Sequence, residues 1–210
     1  YHWDRAAGRL IFDEGWRHYY VAGTQQSYGW DVVLAEDQAW FMDNGRHRYR
    51  TSMVGAGVSA TPNRLIRVSL SDSADNDAIE VSGLGGGSVT NPPVFDVGRQ
   101  IVVAMDSANK LLRAWRFDAD RRSLTPLWAR ENFGAASHML LYPGSGELVT
   151  NDYDKGCESV AVLDIVTGAT RARAKIGGPM QGVVFPSPGW GRDFYWCSMG
   201  FVARVAVIDA

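Results

Sequence analysis

The sequence is poor in cysteine, in net charge and in long apolar runs. Its 210 residues include two cysteines, Cys157 and Cys197, which are too few for a disulfide framework. Either Cys197 is a small buried side chain in an apolar strand, or the two cysteines form a single bridge. The formal net charge of −2 gives no reason to expect nucleic acid or an anionic membrane as a partner. Hydrophobic residues make up 46% and charged residues 21%, which is typical of a soluble globular protein.

Targeting segments and familiar catalytic motifs are missing as well. No apolar run approaches the roughly 20 residues of a membrane-spanning helix, and no signal peptide is visible, so the sequence indicates no compartment. The run Gly144-Ser145-Gly146 is typical of a hairpin turn and not of a nucleophile elbow. No His-x-x-x-His or Cys-x-x-Cys metal pattern occurs. The glycines at 85–87 precede a predicted strand, which favours a flexible hinge over a phosphate-binding loop.

What the sequence does contain is a repeating unit, most complete in residues 133–177. Four strand-sized runs, alternating or rich in β-branched residues, are separated there by turn residues. The runs are residues 138–142, 147–152, 159–164 and 170–176. Four antiparallel strands in about 45 residues are typical of one propeller blade. The sequence therefore predicts an all-β protein, a β-propeller of four-stranded antiparallel blades.

About four blades are visible along the chain. Their predicted bounds are 29–84, 85–132, 133–177 and an incomplete 178–210, and residues 1–28 carry the outer strands of a preceding or closing blade. The opening hairpin matches the second blade, because Trp3-Asp4 aligns with Phe117-Asp118 and Leu10 with Leu124. Either the ring closes when residues 10–12 join the last blade, or the chain is part of a larger ring with N-terminal blades missing. An open sheet edge would also favour a homo-oligomer.

A long loop is predicted over residues 46–63, where Gly55, Gly57 and Pro62 interrupt the strand pattern. Loops longer than about 12–15 residues are usually functional or disordered. This segment is therefore either a lid or rim over the channel, or a disordered insertion.

The third blade carries a first family resemblance. Residues 160–168, with Asp164 and the turn Thr167-Gly168, are similar to the repeat of quinoprotein-like propellers of bacterial origin. In true quinone-dependent dehydrogenases a tryptophan ends this repeat, whereas residues 171–174 here are Arg-Ala-Arg-Ala. The resemblance implies the fold without the quinone cofactor PQQ.

A second resemblance covers residues 90–199. The runs Asn91-Pro92-Pro93, Met105-Asp106-Ser107 and Arg116-Phe117-Asp118 look like the gluconolactonase and senescence-marker family of calcium-dependent lactonases. The resemblance implies that Asn91 ligates a metal at the channel mouth. The family's aspartate one blade later falls at or next to His138. Calcium prefers oxygen ligands, whereas a transition metal would accept this histidine together with carboxylates.

Two sets of polar residues are the candidates for a site. The first lies at the predicted inner-strand starts, spaced 47 residues from Asn91 to His138 and 43 from His138 to Gln181. The ligand-binding residues predicted there are Asp31 (or Trp30), Asn91, His138 and Gln181. The second set, at the second-strand ends, is Asp43, Asp106, Asn151, Asp152 and Ser198. Because the two strands are antiparallel, both sets could form one polar ring at the channel mouth. Their alternative role is structural, since aspartate and asparagine are common turn formers.

These residues support two functions of different class. In the first, the chain is a non-catalytic propeller that binds a small molecule or a protein at the channel mouth. In the second, it is a metal-dependent hydrolase of the lactonase type, in which a divalent ion polarises a carbonyl or activates water. The predicted metal ligands are Asn91, Asp106 and Asp152. His138 is the predicted catalytic residue, as a metal ligand or general base, and its alternative is a structural histidine.

Overall fold

The computed structural model describes residues 1–18, 28–29, 32–43, 58–87, 89–90, 92–106, 109–131, 139–154, 157–175, 185–188, 191–198 and 201–206. Over these residues the regular elements are β-strands. In chain order they are β1 (His2–Asp4), β2 (Arg9–Ile11), β3 (Tyr28–Gly29), β4 (Val33–Ala35), β5 (Gln38–Asp43), β6 (Val58–Ser69), β7 (Asn76–Gly87), β8 (Val89–Thr90), β9 (Val94–Asp96), β10 (Ile101–Asp106), β11 (Leu111–Asp118), β12 (Ser123–Glu131), β13 (Leu140–Tyr142), β14 (Glu147–Asp154), β15 (Cys157–Asp164), β16 (Thr170–Lys175), β17 (Phe185–Pro188), β18 (Asp193–Ser198) and β19 (Phe201–Ala206).

The strands form blades in chain order. Blade one is β4-β5-β6-β7, blade two β9-β10-β11-β12 and blade three β13-β14-β15-β16, each a four-stranded antiparallel sheet. Blade four contains β17, β18 and β19, and β1 pairs with β2 in a separate hairpin. The predicted all-β propeller fold is confirmed. One pairing was not predicted: the short strands β3 and β8 run parallel, Tyr28 opposite Val89.

Blade one corrects two predictions. Residues 58–63 of the loop predicted over 46–63 belong to strand β6, and the rest of that predicted loop lies outside the described residues. The hinge predicted at 85–87 lies inside β7. The two strands continue through register shifts on either side of Pro62. Proline has no N–H to donate, so it is tolerated in a sheet at such an irregularity. Glycine and proline here mark a bulged extension of two paired strands.

The core lies between neighbouring blades. In β10, Ile101, Val103 and Met105 pack toward blade three, whereas Val102 and Ala104 pack toward blade one. This alternation follows from the two-residue period of a strand that is buried on both faces. Blades three and four meet through a third cluster of buried side chains, Val149, Val160, Val162, Phe194 and Trp196. The second strands of blades one and two, β5 and β10, are therefore apolar along most of their length.

The segment after the first hairpin covers the other face of blade one. Trp16 packs against a cluster of Phe41, Ile66 and Val68, which lies on the side of blade one away from blade two. Its indole Nε1 donates a hydrogen bond of 2.8 Å to the carbonyl oxygen of Ser69. An aromatic anchor and a satisfied indole together hold this segment on the sheet.

A tryptophan from blade two closes the outer turn of blade three. The Asp164 carboxylate accepts hydrogen bonds from the backbone N–H groups of Val166 (2.8 Å) and Thr167 (3.0 Å). Gly168 follows in the left-handed region at φ 71°. Trp128 lies against this turn and donates its indole N–H to the carbonyl of Ile165 at 2.9 Å. The repeat of blade three lacks a tryptophan of its own, and its turn is packed by one from the preceding blade.

Candidate functional site

Three aspartates occupy one repeated position at the ends of the second strands. Trp40, Val103 and Val149 lie opposite corresponding first-strand residues, Val33, Val94 and Leu140. Three residues further along are Asp43, Asp106 and Asp152, respectively. β5 and β10 thus end in an aspartate at the same level, and β14 continues beyond Asp152 to Asp154. We call this level the rim.

The Asp106 carboxylate is fully buried at the junction of blades one and two. Its Oδ2 accepts hydrogen bonds from the Ser82 hydroxyl (2.5 Å) and the Asn109 amide (2.8 Å). Its Oδ1 accepts from the backbone N–H of Asn109 at 3.2 Å and, weakly, from Asn63 Nδ2 at 3.4 Å. All four donors are neutral, and among the described residues no lysine, arginine or histidine contacts this carboxylate. We call Asp106, Asn63, Ser82 and Asn109 the Asp106 cluster.

Asn63 leaves an unpaired oxygen in the same cluster. The residue is fully buried, and its Oδ1 has no hydrogen-bond partner within the described part of the chain. Buried polar atoms are nearly always paired with protein, water or ion, so an orphan acceptor beside a buried carboxylate indicates a missing partner. Further oxygens lie close by: the Leu84 carbonyl is 3.4 Å from the Ser82 hydroxyl, and the Gly85 carbonyl accepts a hydrogen bond of 3.0 Å from the Asn109 amide. The cluster therefore combines one carboxylate with neutral oxygens and N–H donors.

Asp43 differs from Asp106 because its carboxylate is paired with an arginine side chain. Its carboxylate is also buried, and it forms an ion pair with the guanidinium of Arg64 on the neighbouring strand β6. A buried charge with a hydrogen-bonded partner of opposite sign needs no external ion. Of the two rim carboxylates whose side chains are described, Asp106 is the one without a cationic partner among the described residues.

The next blade junctions also contain unpaired buried polar atoms. Thr150 Oγ1 and Ser159 Oγ in blade three, and Trp196 Nε1 in blade four, have no partner in the described structure. Thr150 directly precedes Asn151 and Asp152, and Ser159 lies opposite Asp152 in the ladder. Unpaired buried polar atoms thus recur in blades three and four.

The residues predicted from sequence are placed as follows. Asp106 lies at the rim, and the backbone of Asp152 lies at the corresponding position of blade three. Four others fall outside the described residues: Asp31, Asn91, His138 and Gln181. Over the residues that the structure describes, no three His, Cys, Asp or Glu side chains gather as metal ligands.

Asn63 and Ser82 were not predicted as partners of Asp106. The pattern Asp106-x-x-Asn109 predicts a local turn, and the hydrogen bond from the Asn109 backbone N–H to Asp106 Oδ1 agrees with it. Asn63 and Ser82 are distant from Asp106 in the sequence and lie within the bulged strands β6 and β7 of blade one. The one sequence signal available was polar residues interrupting strands, which is too common to identify a site.

At the opposite ends of blades three and four lies a shallow cleft with a volume of 370 Å³. Its lining residues are Tyr142, Pro143, Gly144, Ser145, Gly191 and Arg192. Burial opposes ionisation of the adjacent Glu147, but hydrogen bonds from Arg192 and Ser145 outweigh it and hold the pKa of Glu147 below its usual value. Burial raises the pKa of Tyr142, helped by Asp193 and Glu147. Glu147 is thus an ionised residue paired with Arg192, and it fastens the two blades together.

No protein-family model matches this chain, and no curated protein sequence matches it. Among solved structures it is similar to a luciferin-regenerating enzyme, at 15% identity and a TM-score of 0.55, covering 85% of this chain and 61% of that one. It is also similar to BamB from Moraxella catarrhalis, at 15% identity and a TM-score of 0.57, covering 83% and 45%. A third is the β-propeller domain of the Trilobed protease from Pyrococcus furiosus, at 11% identity and a TM-score of 0.45, covering 85% and 57%. The chain thus spans less than two thirds of each.

A helix long and apolar enough to cross a membrane is not found among the described residues.

Proposed function

We propose that this chain is a ligand-binding propeller whose rim holds a hard cation, such as Ca²⁺, in the Asp106 cluster. One observation carries the proposal: Asp106 is fully buried as a carboxylate among neutral donors, next to the unpaired Oδ1 of Asn63. The four neutral hydrogen bonds offset part of the cost of burying this charge, and a cation would offset more of it. Ca²⁺ takes six to eight oxygen ligands from carboxylates, amide and backbone carbonyls and water. The cluster would supply the Asp106 carboxylate and the Asn63 amide oxygen, and water would supply further ligands.

Rotation of the Asn63 side-chain amide would accommodate an ion. As it stands, the amide makes one long contact of 3.4 Å through Nδ2 and leaves Oδ1 without a partner. A half-turn of the side-chain amide exchanges these two atoms and brings an oxygen toward Asp106. Two acceptors facing each other repel unless a cation lies between them. Asn63 would then be a ligand, and Ser82 and Asn109 would orient the carboxylate.

The rest of the rim is proposed to bind a polar small molecule or a partner protein. Support comes from the unpaired buried hydroxyl groups of Thr150 and Ser159 in blade three. We propose Asp31 and Asn91 as ligand-binding residues. We propose His138 and Gln181 as further ligand-binding residues of this mouth. A cation anchored at Asp106 would attract the anionic or carbonyl groups of such a ligand.

The cation proposal predicts a calcium-dependent gain in thermal stability that requires Asp106. At a Ca²⁺ concentration about 100 times the dissociation constant, the wild-type chain should gain about 2.7 kcal/mol, or roughly 5–10 °C in melting temperature. Asp106→Asn keeps the shape and removes the charge, so the gain should disappear. Asp118→Asn is the matched control, because this carboxylate lies on the outer strand β11 beside Arg121 and should leave the gain unchanged. Calcium stabilising Asp106→Asn as much as the wild type would overturn the proposal.

A second candidate is the metal-dependent hydrolase of the lactonase type. It is favoured by the repeated position of Asp106 and Asp152, because both carboxylates could ligate an ion near the channel mouth. Asn91 would be a third ligand. In this case the ion polarises a substrate carbonyl or activates water, and His138 acts as a general base or metal ligand.

The variant His138→Ala separates this role from a structural one. If His138 serves the site, the variant should lose lactone hydrolysis or ligand binding with little change in melting temperature. If it is a buried hydrogen-bond donor, its partner is left unsatisfied and stability falls by about 1–3 kcal/mol with binding intact. A thermal melt and a hydrolysis assay with added Ca²⁺ or Mn²⁺ distinguish the two. If the wild-type chain hydrolyses no lactone with either metal, the hydrolase function is excluded.

The type of propeller and the bounds of its blades are also proposals. We propose kinship with quinoprotein-like propellers, supported by the Asp164 turn and its packing tryptophan, Trp128. The blade bounds 29–84, 85–132, 133–177 and 178–210 are proposed on the same repeat.

A further inference from the structure

The N-terminal hairpin presents an uncovered apolar face. Trp3 lies directly opposite Leu10 in the β1–β2 ladder, and the two are 55% and 64% exposed. Alternate strand residues point to the same side, so Tyr1 and Phe12 share this face. Their rings contact each other, with centroids 5.0 Å apart, and both are exposed. Contiguous exposed apolar patches on proteins mark interaction surfaces.

The same positions are covered in blade two. Phe117 lies opposite Leu124 there, in the register that Trp3 and Leu10 have in the hairpin. Phe117 is buried and packs edge-on against Trp40 of blade one, with ring centroids 5.0 Å apart. In blades one and two, the face of an outer hairpin with this register therefore packs against the preceding blade.

Blade four exposes the corresponding partner surface. By ladder register Tyr195, Val202 and Arg204 take the places that Trp40, Leu65 and Arg67 have in blade one. A shared cross-strand bond supports the equivalence: Arg67 donates to Gln38, and Arg204 donates to Asp193 at the matching position. The blade-one residues are buried under blade two, whereas Tyr195 is 44% and Val202 67% exposed. The chain thus carries both halves of one blade-to-blade interface, and both are uncovered.

We propose that the hairpin of one copy packs on blade four of a second copy, with Trp3 on Tyr195 and Leu10 near Val202. The occupant follows from the repeat, because the surface complementary to the hairpin is one that this same chain exposes. The exchange is reciprocal, so each dimer contains two such junctions and closes with two-fold symmetry. This inference does not depend on the cation proposed at Asp106.

The test is the mass in solution of the wild-type chain and of two charge-insertion variants. Light scattering after gel filtration should give twice the chain mass for the wild type. Trp3→Asp and Tyr195→Asp should each weaken dimerisation by about tenfold or more, because a buried aromatic contact is replaced by an unpaired charge. Val97→Asp is the control, since Val97 is an exposed apolar residue after β9, outside both faces, and it should remain dimeric. Circular dichroism checks that each variant keeps its strand signal.

A mixing experiment makes the test specific for the reciprocal exchange. Trp3→Asp and Tyr195→Asp each lose both junctions alone, but a mixed pair retains one intact junction, so mixing should restore part of the dimer. A monomeric wild type would overturn the proposal, whether its hairpin is free or closed on its own blade four. Open-ended oligomers, or dimers that both variants leave intact, would also overturn it.

Discussion

Gly168→Ala is expected to lower the free energy of unfolding by about 3 kcal/mol or more. Gly168 has φ 71°, a conformation that costs a residue with a Cβ about 1–2 kcal/mol. An added Cβ would also lie 2.6 Å from the indole ring of Trp128, so the packing between blades two and three must shift. Overpacking of this kind typically costs about 1–3 kcal/mol. Urea unfolding followed by tryptophan fluorescence measures the loss.

Gly191→Ala separates the backbone cost from the contact with Trp128. Gly191 has φ 59°, but a Cβ added there meets no atom within 4 Å. This variant should lose about 1 kcal/mol. If the two alanine variants lost the same stability, the packing of Trp128 on the blade-three turn would contribute nothing measurable.

Trp40→Ala is expected to cost about 3–5 kcal/mol, as do other large-to-small changes in a packed core. Trp40 is fully buried between blades one and two, where its ring centroid lies 5.2 Å from that of Phe95 and 5.0 Å from that of Phe117. Its removal opens a cavity in the middle of the interface. Its indole also donates a 3.3 Å hydrogen bond to the carbonyl of Ala35.

Trp40→Phe is the matched variant, because it keeps an aromatic ring and loses the indole N–H. It should cost about 1–2 kcal/mol, from the lost hydrogen bond and a smaller cavity. Chemical unfolding of both variants provides the comparison. An alanine variant no less stable than the phenylalanine variant would show that blade one does not depend on this aromatic cluster.

The strands and their order could be predicted because each rests on local signals. Alternating apolar residues and turn formers mark β10, β11 and β12, and the aspartate at the end of a third strand recurs as Asp118 and Asp164. The sequence also predicts that the N-terminal hairpin matches the outer strands of blade two, and the β1–β2 and β11–β12 ladders share the predicted register. Once one blade is recognised, the sequence repeat predicts the other blades.

The rest depends on contacts between distant segments. Nothing local shows that Trp128 packs on the turn of the next blade, or that Asn63 meets Asp106. Glycine and proline in blade one predict loops from the sequence. The paired strands there instead tolerate these residues at bulges. Ladder equivalents in blades two and three, such as Val94 and Leu140, are 46 residues apart, one fewer than the predicted pair Asn91 and His138. One residue of register exchanges the two faces of a strand, so the repeat does not fix the face that His138 presents.

The most direct test of the cation site is the metal content of the purified chain. The wild-type protein is equilibrated with excess Ca²⁺, freed of unbound ion by gel filtration and analysed by elemental mass spectrometry beside Asp106→Asn and Asp118→Asn. The Asp106 cluster predicts about one bound calcium ion per chain in the wild type and in Asp118→Asn. Asp106→Asn should retain almost none. A wild-type chain without stoichiometric metal, or calcium retained equally by Asp106→Asn, would contradict the account.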